Sequence, residues 1–284
     1  MTPSMEFCVL IEPHNGASYL DQLRVAQHAE KLGFHGFFRA DHLVNGDGEG
    51  LGLPGPTDTW MTLAAIGRET STIRLGSLMT SATFRHPSLL TVMVAQADEM
   101  SGGRIEFGFG AGWWEYEHRA TGIPLFEPAE RFDRFEEQLE VITGLWNTPI
   151  GETFSHRGTH YTLDASPALP KPVQHGGIPI IVGGDGKRRT PAIAARWARE
   201  YNSGWDDPDT TRTSFDRVDA ACVAIGRDPR TLRHSTVQTL DAELSGRVGG
   251  YAAVGVQRLY VELVDLSDLD ELTRFADAVS LAAR

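Results

Sequence analysis

Short apolar runs alternate with longer amphipathic stretches about eight times along the chain, and that alternation predicts its architecture. Strands are expected over 6–12, 36–40, 74–79, 104–110, 179–183, 201–203, 232–239 and 258–263. Helices are expected over 19–32, 59–69, 88–100, 128–146, 187–197, 210–225, 243–253 and 268–281. Most of the strand runs are too continuously apolar to leave one face in water, as suits strands covered by helices. Eight βα alternations favour a closed barrel over an open doubly wound sheet. The expected fold is therefore α/β, a single (β/α)8 TIM barrel domain over 1–284.

Two stretches break the alternation. Residues 150–174 have neither helical period nor helix length and form an insertion before the fifth strand. Within it, 153–156 and 160–163 flank Arg157-Gly158-Thr159, which suggests a small hairpin. The second stretch, 44–58, is rich in Gly and Pro and follows the second strand. In a barrel such long βα loops sit over the active-site mouth.

The length of 284 residues suits one barrel with modest insertions. Hydrophobic residues at 41% and charged residues at 23% are an ordinary globular balance. With 26 Lys plus Arg against 38 Asp plus Glu, the formal charge is −12, which argues against nucleic acid or an anionic membrane as partner. A bound phosphate must then be held locally, by a basic cluster or by backbone N–H groups. Cys8 and Cys222 form no Cys-x-x-Cys or zinc pattern, which reads as a reduced, cytoplasmic chain. The first residues lack a signal-peptide pattern, and no apolar run reaches the roughly 20 residues of a membrane span.

Several motifs carry candidate chemistry. Gly108-Phe109-Gly110-Ala111-Gly112 fails as a dinucleotide fingerprint, because Gly-x-Gly-x-x-Gly needs glycine where Trp113 stands. What remains is a glycine-rich strand end that lets a flat ligand approach the backbone; the plain alternative is glycines that thin the barrel wall for packing. Trp113-Trp114-Glu115-Tyr116-Glu117-His118 follows directly, a costly solvent loop but a natural lid over an aromatic ligand. Gly183-Gly184-Asp185-Gly186-Lys187-Arg188-Arg189-Thr190 joins an apolar run to an alanine-rich helix and reads as an anion site. Its alternative is a turn with a solvated basic first helical turn. Asp41 and His42 close the second strand, at the rim where catalytic side chains of this fold belong. Either can orient a polar edge or relay a proton; a capping Asp with a satisfied His beside it is the alternative. Thr80 offers a hydroxyl to the same mouth. No metal is expected, since the ten histidines show no His-x-His at a strand end.

These motifs, in order, resemble the bacterial luciferase-like monooxygenase superfamily, and within it the coenzyme F420 (deazaflavin)-dependent oxidoreductases. The resemblance spans nearly the whole chain. It rests on Arg39-Ala40-Asp41-His42, the run from Thr80 to Pro87, and Ser101-Gly102-Gly103-Arg104-Ile105 leading to Gly108–Trp113. Further on come Gly122-Ile123-Pro124, Pro170-Lys171-Pro172-Val173-Gln174 and the run from Ile178 to Gly184. The resemblance implies a ring at the barrel mouth and a phosphate at the loop after the fifth strand. By position, Asp41, Thr80 and Gly112 would contact the ring or its ribityl chain, and Gly183, Gly184, Gly186, Lys187 and Arg188 the phosphate. It also implies a non-prolyl cis peptide in the third strand, matched to Ser77-Leu78, and pairing as a homodimer. Family members with sugar-phosphate dehydrogenase activity have Glu where this chain has Trp113, so that activity is not carried over.

On this reading the cofactor carries the hydride, and the protein orients it and excludes water. His42 and Glu12 are the candidates for proton handling, with Asp41 beside them, and Trp113 and Trp205 for contact with a small organic substrate. Two alternatives stay open. One is an FMN-dependent monooxygenase served by a partner reductase, and the other a non-catalytic flavin-binding barrel.

Overall fold

The computed structural model describes residues 5–46 and 55–281. Its strands, in chain order, are β1 (Glu6–Ile11), β2 (Gly36–Arg39), β3 (Arg74–Ser81), β4 (Ile105–Gly110), β5 (Phe154–Arg157), β6 (Thr162–Ser166), β7 (Ile180–Gly183), β8 (Glu200–Asn202), β9 (Arg233–Thr239) and β10 (Arg258–Glu262). Eight of them pair in parallel and close into a barrel, ordered β1-β10-β9-β8-β7-β4-β3-β2. Between them run α1 (Tyr19–Leu32), α2 (Thr59–Glu69), α3 (Pro87–Met100), α4 (Glu115–Thr121), α5 (Pro128–Asn147), α6 (Arg189–Trp197), α7 (Pro208–Ala224), α8 (Leu244–Ala253) and α9 (Leu269–Ala278). This is the predicted TIM barrel.

Period-two alternation sorts the strand residues. Phe7, Val9 and Ile11 pack outward against the helices, whereas Cys8 and Leu10 join Phe38, Ile181, Val237 and Tyr260 in an inner cluster. The inner wall is tight: a Cβ on Gly76 would run into the Phe38 ring and the Glu106 carbonyl. Helix ends follow local chemistry. Ser18 and Asp21 form a capping box at the start of α1, and Gly33 ends it in the left-handed region at φ 87°.

The N-terminal end of the barrel is closed by charge. Arg258 is fully buried and reaches Glu106 at 2.5 Å, Glu6 at 2.8 Å and Glu200 at 2.9 Å, while the Tyr260 hydroxyl donates to Glu200. Such a cluster tolerates burial only because every charge finds partners. Space for a ligand is left at the opposite, C-terminal end.

Two local predictions are corrected. The insertion does hold a hairpin, but its antiparallel strands are β5 and β6, with Arg157 opposite Thr162. Glu137 of α5 accepts the backbone N–H groups of His160 (2.9 Å) and Tyr161 (2.8 Å), so those residues turn toward α5 before the ladder begins. The aromatic segment after β4, expected as a lid loop, contains the helix α4. Of the predicted loop 44–58, residues 47–54 lie outside the described residues.

Candidate functional site at the C-terminal mouth of the barrel

The ends of β1, β2, β3, β4, β7 and β8 converge on a cavity of about 520 Å³. Glu12, Asp41, His42, Thr80, Gly112, Trp113, Gly183, Gly184, Gly186 and Trp205 all line it. They come from six strand ends, and the barrel brings them together because each βα loop leaves its strand at the same face. Lys187 and Arg188 do not line it; both are exposed. The next residue, Arg189, is spent on Asp133 of α5 at 2.7 Å.

The cavity is built where side chains are missing. A Cβ on Gly183 would press on the Asn202 carbonyl at 2.6 Å, and one on Gly112 on Ser81 and Thr83. Gly112 (φ 82°) and Gly184 (φ 123°) hold backbone conformations that favour glycine. The helix α6 starts beside Gly186 with no side-chain cap on its first N–H groups, so these donors remain open to an anion.

Two buried polar atoms in the lining have no partner among the described residues. Thr80 is fully buried and its Oγ1 makes no hydrogen bond. Arg131, in the first turn of α5, lines the same cavity; among the described residues its buried Nε has no hydrogen-bond partner and its guanidinium no ion-pair partner. Arg131 is the cation that sequence reading missed. Unbonded buried groups are costly, and in a ligand cavity they fit a ligand that supplies the missing partner. A phosphorylated flavin-type cofactor fits this donor set: backbone without side chains at Gly110 and Gly112, a hydroxyl at Thr80, open helix donors and a guanidinium for phosphate.

The carboxylate of Asp41 is already committed. Arg85 holds it by two bonds, at 2.5 and 3.2 Å, and holds Asp58 at 2.7 Å. Asp41 therefore braces the loop after β2 against the N-terminus of α2, where Asp58 caps the helix through the Met61 N–H. His42 differs: its Nδ1 lies 3.1 Å from Glu117 Oε2 of α4. Around its ring stand His14 at 4.8 Å, Trp114 at 5.1 Å and Trp113 at 6.1 Å, all edge-on. Burial lowers the His14 pKa to about 4, with the neighbouring His42 adding to the effect.

Burial pushes the Glu12 carboxyl up, and the charge of Glu262 adds to it. Trp113 is 69% exposed and stacks on Trp114, and Trp205 is 53% exposed with its indole N–H on Glu262 at 2.9 Å. Both indoles stand at the rim, where they can meet a substrate. The non-prolyl cis peptide lies at Leu78-Met79, one residue beyond the position matched from sequence. Among the described residues no cluster of His, Cys, Asp or Glu is placed to hold a metal ion. No described helix is long and apolar enough to cross a membrane.

The chain is thus a β/α barrel with a glycine-built cavity at its C-terminal mouth, beside the uncapped start of α6. Residues 5–240 match the family described as luciferase-like monooxygenase, and the chain belongs to that family. An F420-dependent glucose-6-phosphate dehydrogenase of Microbacterium testaceum (strain StLB037) is 31% identical over 203 residues, covering 70% of this chain and 57% of the relative. An FMNH(2)-dependent dimethylsulfone monooxygenase of Pseudomonas fluorescens (strain Pf0-1) is 25% identical over 198 residues, covering 70% of this chain and 50% of the relative. The chain thus spans little more than half the length of these curated relatives. A solved F420-dependent secondary alcohol dehydrogenase, in complex with an F420-acetone adduct, shares the fold with TM-score 0.85 at 16% identity, over 99% of both chains.

Proposed function

We propose that the chain is an F420-dependent oxidoreductase that moves a hydride between the deazaflavin and a small organic substrate. The observation that carries this reading is the pair of unbonded polar atoms, Thr80 Oγ1 and Arg131 Nε, in one cavity with the uncapped start of α6. The relative of higher identity, named as F420-dependent, supports deazaflavin. A second reading, reduced FMN from a partner reductase used to activate oxygen, is supported by the monooxygenase relative.

Bound deazaflavin would supply two-electron hydride chemistry. The protein's part is binding, orientation and proton handling. Arg131, Gly184, Gly186 and the first N–H groups of α6 hold the phosphate, and Thr80 and Gly112 face the ring side. His42 handles the substrate proton, assisted by Glu12, whose carboxyl pKa is pushed above its ordinary value by burial. Trp113 and Trp205 form the substrate rim. Trp113 is not an acid, so the sugar-phosphate activity named for the relative is not proposed. A cytoplasmic homodimer is the setting we propose for this activity.

Titration of wild type, Arg131→Gln and Lys187→Ala with F420, FMN and riboflavin tests the phosphate assignment. Loss of a charge-assisted bond to phosphate should weaken the phosphorylated ligands roughly tenfold or more in Arg131→Gln and leave riboflavin unchanged. Lys187→Ala should change little. Equal affinities in wild type and Arg131→Gln contradict the assignment.

A further inference from the structure

His42 faces the cavity with one ring nitrogen already engaged. Its Nδ1 meets Glu117 Oε2 at 3.1 Å, and the other oxygen of the same carboxylate accepts the Leu43 backbone N–H at 2.5 Å. Glu117 is 1% exposed at its side chain, and among the described residues its ion-pair contact is His42 alone. One carboxylate thus grips both the ring and the backbone of the loop after β2. The helix that carries it is itself fastened: His118 bonds the Trp114 carbonyl through Nδ1 at 2.7 Å and Thr83 Oγ1 through Nε2 at 2.6 Å. The charged and titratable groups that face His42 are Glu117 from α4, His14 from the turn after β1, and Glu12, on whose carboxyl the charge of His42 acts.

An ionised carboxylate only accepts hydrogen bonds, so the nitrogen that meets it carries the proton. In a neutral imidazole the other nitrogen is then bare. We propose that Glu117 is a positioning residue that fixes the Nδ1–H tautomer of His42 and presents an unprotonated Nε2 to the cavity. This rests on the reading of His42 as the proton-handling group, but the tautomer itself does not depend on which cofactor binds. A purely structural Glu117 would tie down Leu43 and leave the ring free to choose its tautomer.

Nitrogen-15 NMR of the full chain, with labelled histidine and no ligand, decides this at mildly alkaline pH, where an imidazole is neutral. The His42 signals are identified by their loss in His42→Gln. In wild type, Nδ1 should appear protonated and Nε2 bare. Glu117→Gln should shift that ratio toward the other tautomer by roughly tenfold, and Glu117→Asp should restore part of it. A proton on Nε2 in wild type, whether alone or with a doubly protonated ring, overturns the proposal. So does a wild-type pattern retained in Glu117→Gln. If Glu117→Gln fails to fold, the wild-type spectrum still decides. Failure of F420 and FMN to bind would reject the function proposed above without touching this result.

Discussion

Thr80→Val removes a hydroxyl buried at the cavity wall with no partner among the described residues. Leaving a hydroxyl buried and unbonded costs about 1–3 kcal/mol, because its bonds to water are lost and not replaced. Valine has nearly the same shape and nothing to satisfy. The ligand-free variant should therefore be more stable than wild type by about 1 kcal/mol. A ligand that bonds the hydroxyl reverses the sign. Losing one neutral hydrogen bond costs about 0.5–1.5 kcal/mol, so cofactor affinity should fall roughly twofold to tenfold. Urea unfolding followed by tryptophan fluorescence measures the first effect and cofactor titration the second. Stability gained together with affinity lost is the signature of a group kept for a ligand. A variant that unfolds at lower urea, or that binds cofactor as wild type does, would refute the reasoning.

Two further outcomes follow from the charges around the mouth. Asp41→Ala takes the bidentate partner from Arg85, whose side chain is only 12% exposed, and should cost about 3 kcal/mol in urea unfolding; an unchanged midpoint would show that Asp58 alone satisfies Arg85. His14 has its pKa lowered from 6.5 to about 4, so as pH falls the unfolded chain takes up the proton first. Stability should decline from about pH 6.5 and level off near pH 4, a loss of about 3 kcal/mol that His14→Gln should largely abolish. Equal acid sensitivity in the two proteins would contradict burial as the cause.

The barrel is legible in the sequence because its signals are local and repeated. Helix α1 is readable at both ends, since Ser18 and Gly33 mark its caps and Leu23, Ala26 and Ala29 its buried stripe. Strand ends then place Asp41, His42, Thr80 and Gly183 at one mouth without further information. What is not legible depends on phase and on contacts distant in sequence. Helix α4 has seven residues and starts among indoles, too short for a period to show. Lys187 and Arg188 look like the phosphate cations because they sit in the glycine loop. The guanidinium that lines the cavity is Arg131, from another helix, and only the packing of α5 beside α6 reveals it. Glu117 is hidden for the same reason: 74 residues separate it from Leu43, whose N–H it accepts.

The most direct test is equilibrium titration of the purified chain with oxidised and reduced F420 and with oxidised and reduced FMN, followed by tryptophan quenching at Trp113 and Trp114. The site proposed here predicts saturable one-to-one binding of F420, tighter than that of FMN and weakened in Thr80→Val. Tighter binding of reduced FMN would move the protein to the monooxygenase reading. Binding of neither cofactor would contradict a redox site at the barrel mouth.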